Sequence, residues 1–297
     1  MKDFIFLGGD LRFIYAAAKL NKKYHCSVYG FDTLHEDILK QTGVSVTTKI
    51  HRAKNVILPL PMSRNCDYIT APYYSGKIPI SAVTDAVGSG GTVYCGKACP
   101  YIYEICKEKA LNLVDYYERE ELTVVNAVIT AEGALEIIMK EKALAIVGMK
   151  VLVIGYGRIA KVLSKYLHAL GAKVTIIARK YDDLAWARTT GCSAVHFNDT
   201  DRIKSDKFDF SDFDTVVNTV PAVVLGHERL IRLKNDCLVI DLASKAGVDL
   251  ESAKELGVKV IWALSLPGKV APVTSGEIIA ETLLNIIKEK KGGNYNE

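Results

Sequence analysis

The chain has 297 residues, 49% of them hydrophobic and 24% charged, with a formal net charge of +4. That is long enough for two domains with a core each, in the balance of a soluble globular protein. So mild a charge, with no long block of one sign, excludes nucleic acid or a membrane surface as the main partner.

Short apolar runs alternate with helical patterns from end to end, which predicts an α/β chain of two doubly wound parallel-sheet domains. The opening "MKDFIFLGGD" lacks the features of a signal peptide, and no apolar stretch approaches the ~20 residues that span a bilayer. Residues 1–120 form the first, substrate-binding domain, with strands in "DFIFLGG", "CSVYGF", "NVILPLP", "DYITAP", "TVYCGK" and "LNLVDYY". A helix over Leu11 to Leu20 puts Leu11, Ile14, Ala17 and Ala18 on one face. Ahead of it, "GGDLR" supplies Gly9, an N-cap in Asp10, and Arg12 at the helix head, where a guanidinium beside open N–H groups suits a carboxylate. Lys97 and Arg64 are further cations of this block.

Residues 121–147, beginning "ELTVVNAVITAEGALEIIMKEK", predict an interdomain helix that Gly133 could break. Thr130 and Glu132 lie beside that glycine and are expected to face a cleft.

Residues 148–274 predict a Rossmann domain. Gly155, Gly157 and Ala160 make G-x-G-x-x-A between the strand "VLVIG" and an amphipathic helix, with Tyr156, Arg158 and Ile159 filling the turn. Gly155 permits the tight turn, Gly157 lets a pyrophosphate reach the backbone, and Ala160 lets helix and strand pack. The next strand, "KVTIIAR", ends in Arg179 and Lys180 where an acidic residue would grip the adenosine ribose. A planar guanidinium matches a 2′-phosphate, so the expected cofactor is NADP(H). Asn218, Thr219, Val220 and Pro221 end one later strand, Ala243 and Ser244 follow another, and "ALSLPG" follows the last; all belong to the carboxyl edge where such sheets bind ligands. Lys269, Thr274, Ser275 and Gly276 are read as preceding a final helix, residues 275–297 with their tail, that packs back on the first domain through Ile279, Leu283 and Ile286. The tail "KGGNYNE" reads as disordered.

Seven scattered cysteines without a C-x-x-C read as buried free thiols of a reducing compartment. Six histidines, none paired at helical spacing, give no zinc pattern. The cations and helix starts together suit a small polycarboxylate.

"GGDLR", "TAEGAL", "VIGYGRIA", "NTVP", "DLAS" and "LPGKVAPVTSGEIIAETL", in that order, resemble the dipicolinate synthase A subunits of spore-forming bacteria over essentially the whole chain. The resemblance implies a cytoplasmic protein of the mother cell in sporulation, working with a flavoprotein B subunit. It implies oxidation of dihydrodipicolinate, or its hydroxylated precursor, to pyridine-2,6-dicarboxylate. On that reading Gly9, Asp10, Arg12 and Lys97 bind the substrate, and Lys269, Thr130, Glu132 and Ser275 form the catalytic set. A homodimer is compatible with it. One stretch departs from the family: after "DLAS", Lys245-Ala246-Gly247 stands where Pro-Gly-Gly is expected.

Two other readings compete. A 2-hydroxyacid dehydrogenase needs a histidine acid/base late in the cofactor domain, and none lies between Glu228 and Glu297; an alanine- or saccharopine-dehydrogenase-like enzyme is the variant of this reading that survives. A non-catalytic NADP-binding partner of the flavoprotein is the alternative from another class.

Overall fold

The structure is a computed structural model that describes residues 2–200 and 208–292. By packing, the chain separates into two units, Met1–Val125 with Ala271–Glu297, and Asn126–Val270.

In the first unit the chain runs β1 (Lys2–Leu7), α1 (Leu11–Asn21), β2 (Cys26–Tyr29), α2 (Glu36–Thr42), β3 (Val46–Thr47) and β4 (Ala53–Ile57). It continues through β5 (Tyr68–Ile69), β6 (Ile78–Pro79), α3 (Val83–Ala86), β7 (Val87–Cys95), α4 (Pro100–Glu108) and β8 (Asn112–Asp115). Six strands make a parallel sheet in the order β3-β2-β1-β4-β7-β8. The "DYITAP" expectation is corrected: only Tyr68–Ile69 is strand, and it pairs antiparallel with β6 outside that sheet. Its alternating Tyr and Ile satisfy a small ribbon, one side exposed and the other buried.

Successive residues of β1 serve opposite faces. Phe4 and Phe6 join the core under α1, while Ile5 and Leu7 join the core under α3 and α4. α5 (Glu120–Glu141) begins in this unit, with Leu122 in its core, and continues into the second.

The second unit adds β9 (Lys150–Ile154), α6 (Arg158–Ala169), β10 (Lys173–Ala178), α7 (Tyr181–Thr189), β11 (Ser193–His196) and β12 (Thr215–Asn218). After them come α8 (His227–Leu230), β13 (Leu238–Asp241), α9 (Leu250–Glu255), β14 (Lys259–Trp262) and α10 (Leu266–Val270). Its parallel sheet runs β11-β10-β9-β12-β13-β14, the same winding as the first and the strand order of a dinucleotide-binding fold. Here too the central strand is buried on both faces, Val151 and Val153 toward α6 and α7, Leu152 and Ile154 toward α8 and α9.

Three further expectations change. Gly133 does not break α5, which is continuous; a Cβ there would lie 3.0 Å from Val270 Cγ2 and 3.2 Å from Leu266 Cβ, so the glycine admits α10 against the helix. The final helix, α11, is Pro272–Gly292, so Thr274, Ser275 and Gly276 lie inside its first two turns while Lys269 belongs to α10. Proline fits a helix start because its missing N–H is unneeded there. α5 also corrects the statement about apolar length: by length and composition it is apolar enough to cross a membrane. Ala131, Ala134 and Ile138 pack in the second unit's core, which accounts for its composition. α11 packs on α1 as expected, Ile279, Leu283 and Ile286 sharing a core with Phe13, Ile14 and Leu20. The end of the tail, residues 293–297, lies outside the described residues.

Candidate functional site

The second unit's site starts at the turn after β9. Gly155 has φ +96°, which L side chains rarely adopt, and a Cβ on it would lie 2.4 Å from Thr219 Oγ1. Thr219 in turn donates to the Ile154 carbonyl at 2.9 Å, so the loop after β12 is fastened to the end of β9. Gly157 is the N-cap of α6, with no side-chain cap, and a Cβ on it would meet no atom within 4 Å. The head of a twelve-residue helix therefore opens onto clear space, with N–H groups and the positive end of the dipole available to an anion. Ala160 is fully buried under the helix, Ile159 packs beside it, Tyr156 is buried with Lys161 Nζ 5.6 Å from its ring centroid, and Arg158 is exposed in the first turn. These residues fit a dinucleotide pyrophosphate.

Arg179 and Lys180 follow β10, both exposed. Tyr181 opens α7 and is 73% exposed, and its ring stacks on His196 at 4.7 Å between centroids.

At the ends of β12 and β13 the polar groups turn inward. Asn218 and Asp241 are both 0% exposed. Asn218 Nδ2 donates to Asp241 Oδ1 (2.9 Å) and to the Val220 carbonyl (3.0 Å), and its Oδ1 accepts the Val220 N–H (3.0 Å). Asp241 accepts the N–H groups of Ala243 (3.0 Å) and Gly247 (2.7 Å). Ala243 is buried, Ser244 and Lys245 are exposed, and the Ala243 carbonyl accepts from Trp262 Nε1 at 2.9 Å. The Lys245-Ala246-Gly247 departure thus keeps its last glycine where it is needed, since a Cβ on Gly247 would lie 2.1 Å from Asn218 Nδ2. Pro221 is exposed beyond this bracket.

The first unit's corresponding edge is built differently. Gly8 and Gly9 take φ of +66° and +111°, but a Cβ on Gly9 would lie 2.6 Å from the Phe13 ring. Asp10 caps α1 through the Arg12 N–H (3.1 Å) and grips the Arg12 guanidinium, with Nε at 2.9 Å from Oδ1 and Nη2 at 2.8 Å from Oδ2. Arg12 Nη2 also donates to the Leu60 carbonyl at 2.5 Å. Arg12 is buried and most of its fork is engaged within the unit, so a carboxylate meets a largely neutralised pair there. Lys97, in contrast, is exposed, on a turn with φ +61° fixed by Asp115, whose Oδ1 and Oδ2 accept the N–H groups of Lys97 (3.0 Å) and Ala98 (2.6 Å). Arg64 is exposed on the surface. Near Gly8, Thr70 accepts the Gly9 N–H on its carbonyl (2.8 Å), and its hydroxyl is buried without a partner among the described residues. The Tyr29 phenol shares a 2.7 Å hydrogen bond with that of Tyr74 and is pushed up to about 12, by that bond first and burial second.

Of the expected catalytic set, Thr130 is buried and donates to the Asn126 carbonyl at 2.7 Å, the ordinary back-bond of a helical threonine. Ser275 is buried in the first unit, whereas Glu132 and Lys269 are exposed in the second. Sequence reasoning put Asp241 on the ligand-binding edge without a role of its own, and it missed Tyr181 and His196. Asp241 carried a signal, an acidic residue ending a strand of otherwise apolar residues; nothing local marked the other two.

Residues 3–117 match the family of the N-terminal domain of the dipicolinate synthase A subunit, and residues 151–224 match the TrkA-N domain. The chain is 27% identical over 288 residues to the dipicolinate synthase A subunit of Bacillus subtilis (strain 168), covering 95% of each. It is similar to the crystal structure of the dipicolinate synthase A subunit from Bacillus halodurans, with TM-score 0.82, 28% identity and coverage of 96% of this chain and 97% of that one. An L-alanine dehydrogenase structure, 13% identical with TM-score 0.62 and coverage of 97% and 90%, shares the fold. The second unit thus has a Rossmann-like fold.

Proposed function

We propose that the chain is a dipicolinate synthase A subunit that binds NADP(H) on its second unit and oxidises dihydrodipicolinate, or the hydroxylated precursor, to pyridine-2,6-dicarboxylate together with a flavoprotein B subunit. The observation that carries the cofactor choice is the open head of α6 at Gly157 combined with exposed Arg179 and Lys180 after β10. The first receives a pyrophosphate, and the second pair attracts a 2′-phosphate that a carboxylate there would repel.

The nicotinamide, when bound, supplies the hydride-accepting carbon. This chain supplies position and charge. A dianionic ring needs cations, and within the first unit exposed Lys97 suits a carboxylate better than Arg12, whose guanidinium is held by Asp10. Glu132 is the group of the catalytic set able to take a proton, since the Thr130 hydroxyl already donates to the Asn126 carbonyl. The protein acts in the cytoplasm of the mother cell on this reading.

The test is titration of the purified chain with NADPH and NADH, wild type against Arg179→Ala, followed by turnover with the flavoprotein present. A preference for NADPH that collapses in the variant is expected. So is lost turnover in Lys269→Ala with nucleotide binding unchanged. Equal binding of both nucleotides in wild type and variant would refute the NADP assignment. One observation favours a second reading, a non-catalytic cofactor-binding partner of the flavoprotein: Thr130 and Ser275, two of the four expected catalytic residues, are buried. It predicts nucleotide binding with no hydride transfer.

A further inference from the structure

A dinucleotide fold binds its two mononucleotides over its two half-sheets, and here the adenosine side is β9, β10 and β11 while the nicotinamide side is β12, β13 and β14. The Arg179 and Gly157 features belong to the first half. Among the described residues, the second half has one wholly buried charged side chain at its carboxyl edge, Asp241, and the reaction scheme above does not use it.

Its surroundings are unusually well specified. One oxygen accepts from the Ala243 N–H and the Asn218 amide, the other from the Gly247 N–H. Asn218 then holds Val220 by both its N–H and its carbonyl. The Gly247 carbonyl accepts the N–H groups of Val224 (2.9 Å) and Leu225 (3.1 Å), closing the far side of the same two loops. A buried carboxylate is costly unless fully hydrogen-bonded, and here each of these bonds goes to a residue of the loops that follow β12 and β13, or to the strand end they spring from. Among the described residues, none goes to a helix or a distant core position. That is the arrangement of a bracket for the two loops.

We propose that Asp241 is a positioning residue for the nicotinamide half of the cofactor: it holds residues 218–221 and 243–247 in one fixed relation, so that the second half-sheet presents a preformed floor to the ring. The inference rests on the nicotinamide reading above. Asp241→Asn replaces one acceptor oxygen with an N–H₂ group facing an N–H donor, and so breaks the bracket without changing the side chain's size.

The experiment compares a fragment with the whole. Affinities for 2′,5′-ADP or ADP, whichever wild type binds, and for the complete dinucleotide are measured by calorimetry on wild type, Asp241→Asn, Asn218→Ser and a control, Leu167→Ala, which loosens the core behind α6. Asn218→Ser removes the amide that joins the loops and leaves Asp241 its two backbone donors, so it keeps a fold-competent variant in the series. For Asp241→Asn, fragment affinity should stay within about twofold, while the dinucleotide loses about tenfold and approaches the fragment; Asn218→Ser should fall between. The control should melt lower with both affinities unchanged. Equal losses for fragment and dinucleotide would mean general loosening and overturn the proposal, as would no loss for either. Wild type that binds fragment and dinucleotide equally would overturn it too. Wild type that binds neither would instead refute the nicotinamide reading itself, and the inference with it.

Discussion

His196 Nε2 lies 2.9 Å from the carbonyl oxygen of Arg179, and a carbonyl can only accept, so that nitrogen carries the proton. Nδ1 accepts the Asn198 N–H at 3.3 Å, and the ring lies flat against Tyr181. The backbone of the residue expected to read the 2′-phosphate is therefore tied to the neighbouring strand. His196→Phe keeps a ring for Tyr181 and removes the bond. NADPH affinity should fall by about two- to tenfold, the value of one neutral hydrogen bond, and by less than in Arg179→Ala. NADH affinity should hardly move. A loss as large as that of Arg179→Ala would make His196 the phosphate-reading residue instead.

Gly155 and Gly157 are two residues apart and should respond in opposite ways. Gly155→Ala meets both positive φ and Thr219 Oγ1, so it should destabilise by more than about 1 kcal/mol. Gly157→Val has an ordinary backbone, φ −78°, and open space, so its melting temperature should match wild type while nucleotide binding is lost. Thermal melts with and without NADPH separate the two. Retained binding in Gly157→Val would place the phosphates elsewhere.

Gly276 lets α11 touch α1 closely, because a Cβ there would lie 2.4 Å from the Arg12 carbonyl oxygen and 2.7 Å from Tyr15 Cβ. Gly276→Ala must push the helices apart and should cost about 1–3 kcal/mol, read from a urea melt. Its nucleotide affinity should be unchanged.

Arg119 clamps Glu289 of α11 with two hydrogen bonds (2.6 and 2.8 Å) and Glu121 of α5 with a third (2.8 Å). Both glutamates are held below the usual carboxylate range by their bonds to Arg119. A lowered carboxylate stabilises the folded state above its unfolded value and loses that contribution as pH falls through the lowered one. The clamp should be intact at pH 7 and fail from about pH 4 downward. All three side chains touch solvent, so the effect on global stability is small and the readout is local: hydrogen-exchange protection in the last turns of α11, taken relative to the intrinsic rate at each pH, should fall at pH 3. Arg119→Ala should show the lowered protection at both pH values.

What could be read from the sequence was whatever the chain keeps local. Gly155-x-Gly157 with a strand before and a helix after is one short stretch, and the Asp10 cap sits two residues from the N–H it binds. Arg12 was half legible. Its partner Asp10 adjoins it, but the Leu60 carbonyl that completes its burial is 48 residues away. Gly133 was misread because a glycine inside a helix signals weakness by propensity, and its real partner, Val270, is remote in the chain. The partnership of Asp241 escaped for the same reason, since Asn218 reaches it only through sheet order.

The two units share one winding, yet their turns at the first strand meet an approaching anion differently. In the first unit the Phe13 ring fills the space beside Gly9, and Asp10 offsets both the helix head and Arg12. In the second unit Gly157 gives the helix head no side-chain cap, Arg158 follows it, and exposed Arg179 and Lys180 follow the neighbouring strand β10. On the proposed reading, a polyphosphate diffusing toward the protein is drawn to the second unit's turn and not to the first's. Its capture rate should be steered by that local field and slow as added salt shortens the field's reach.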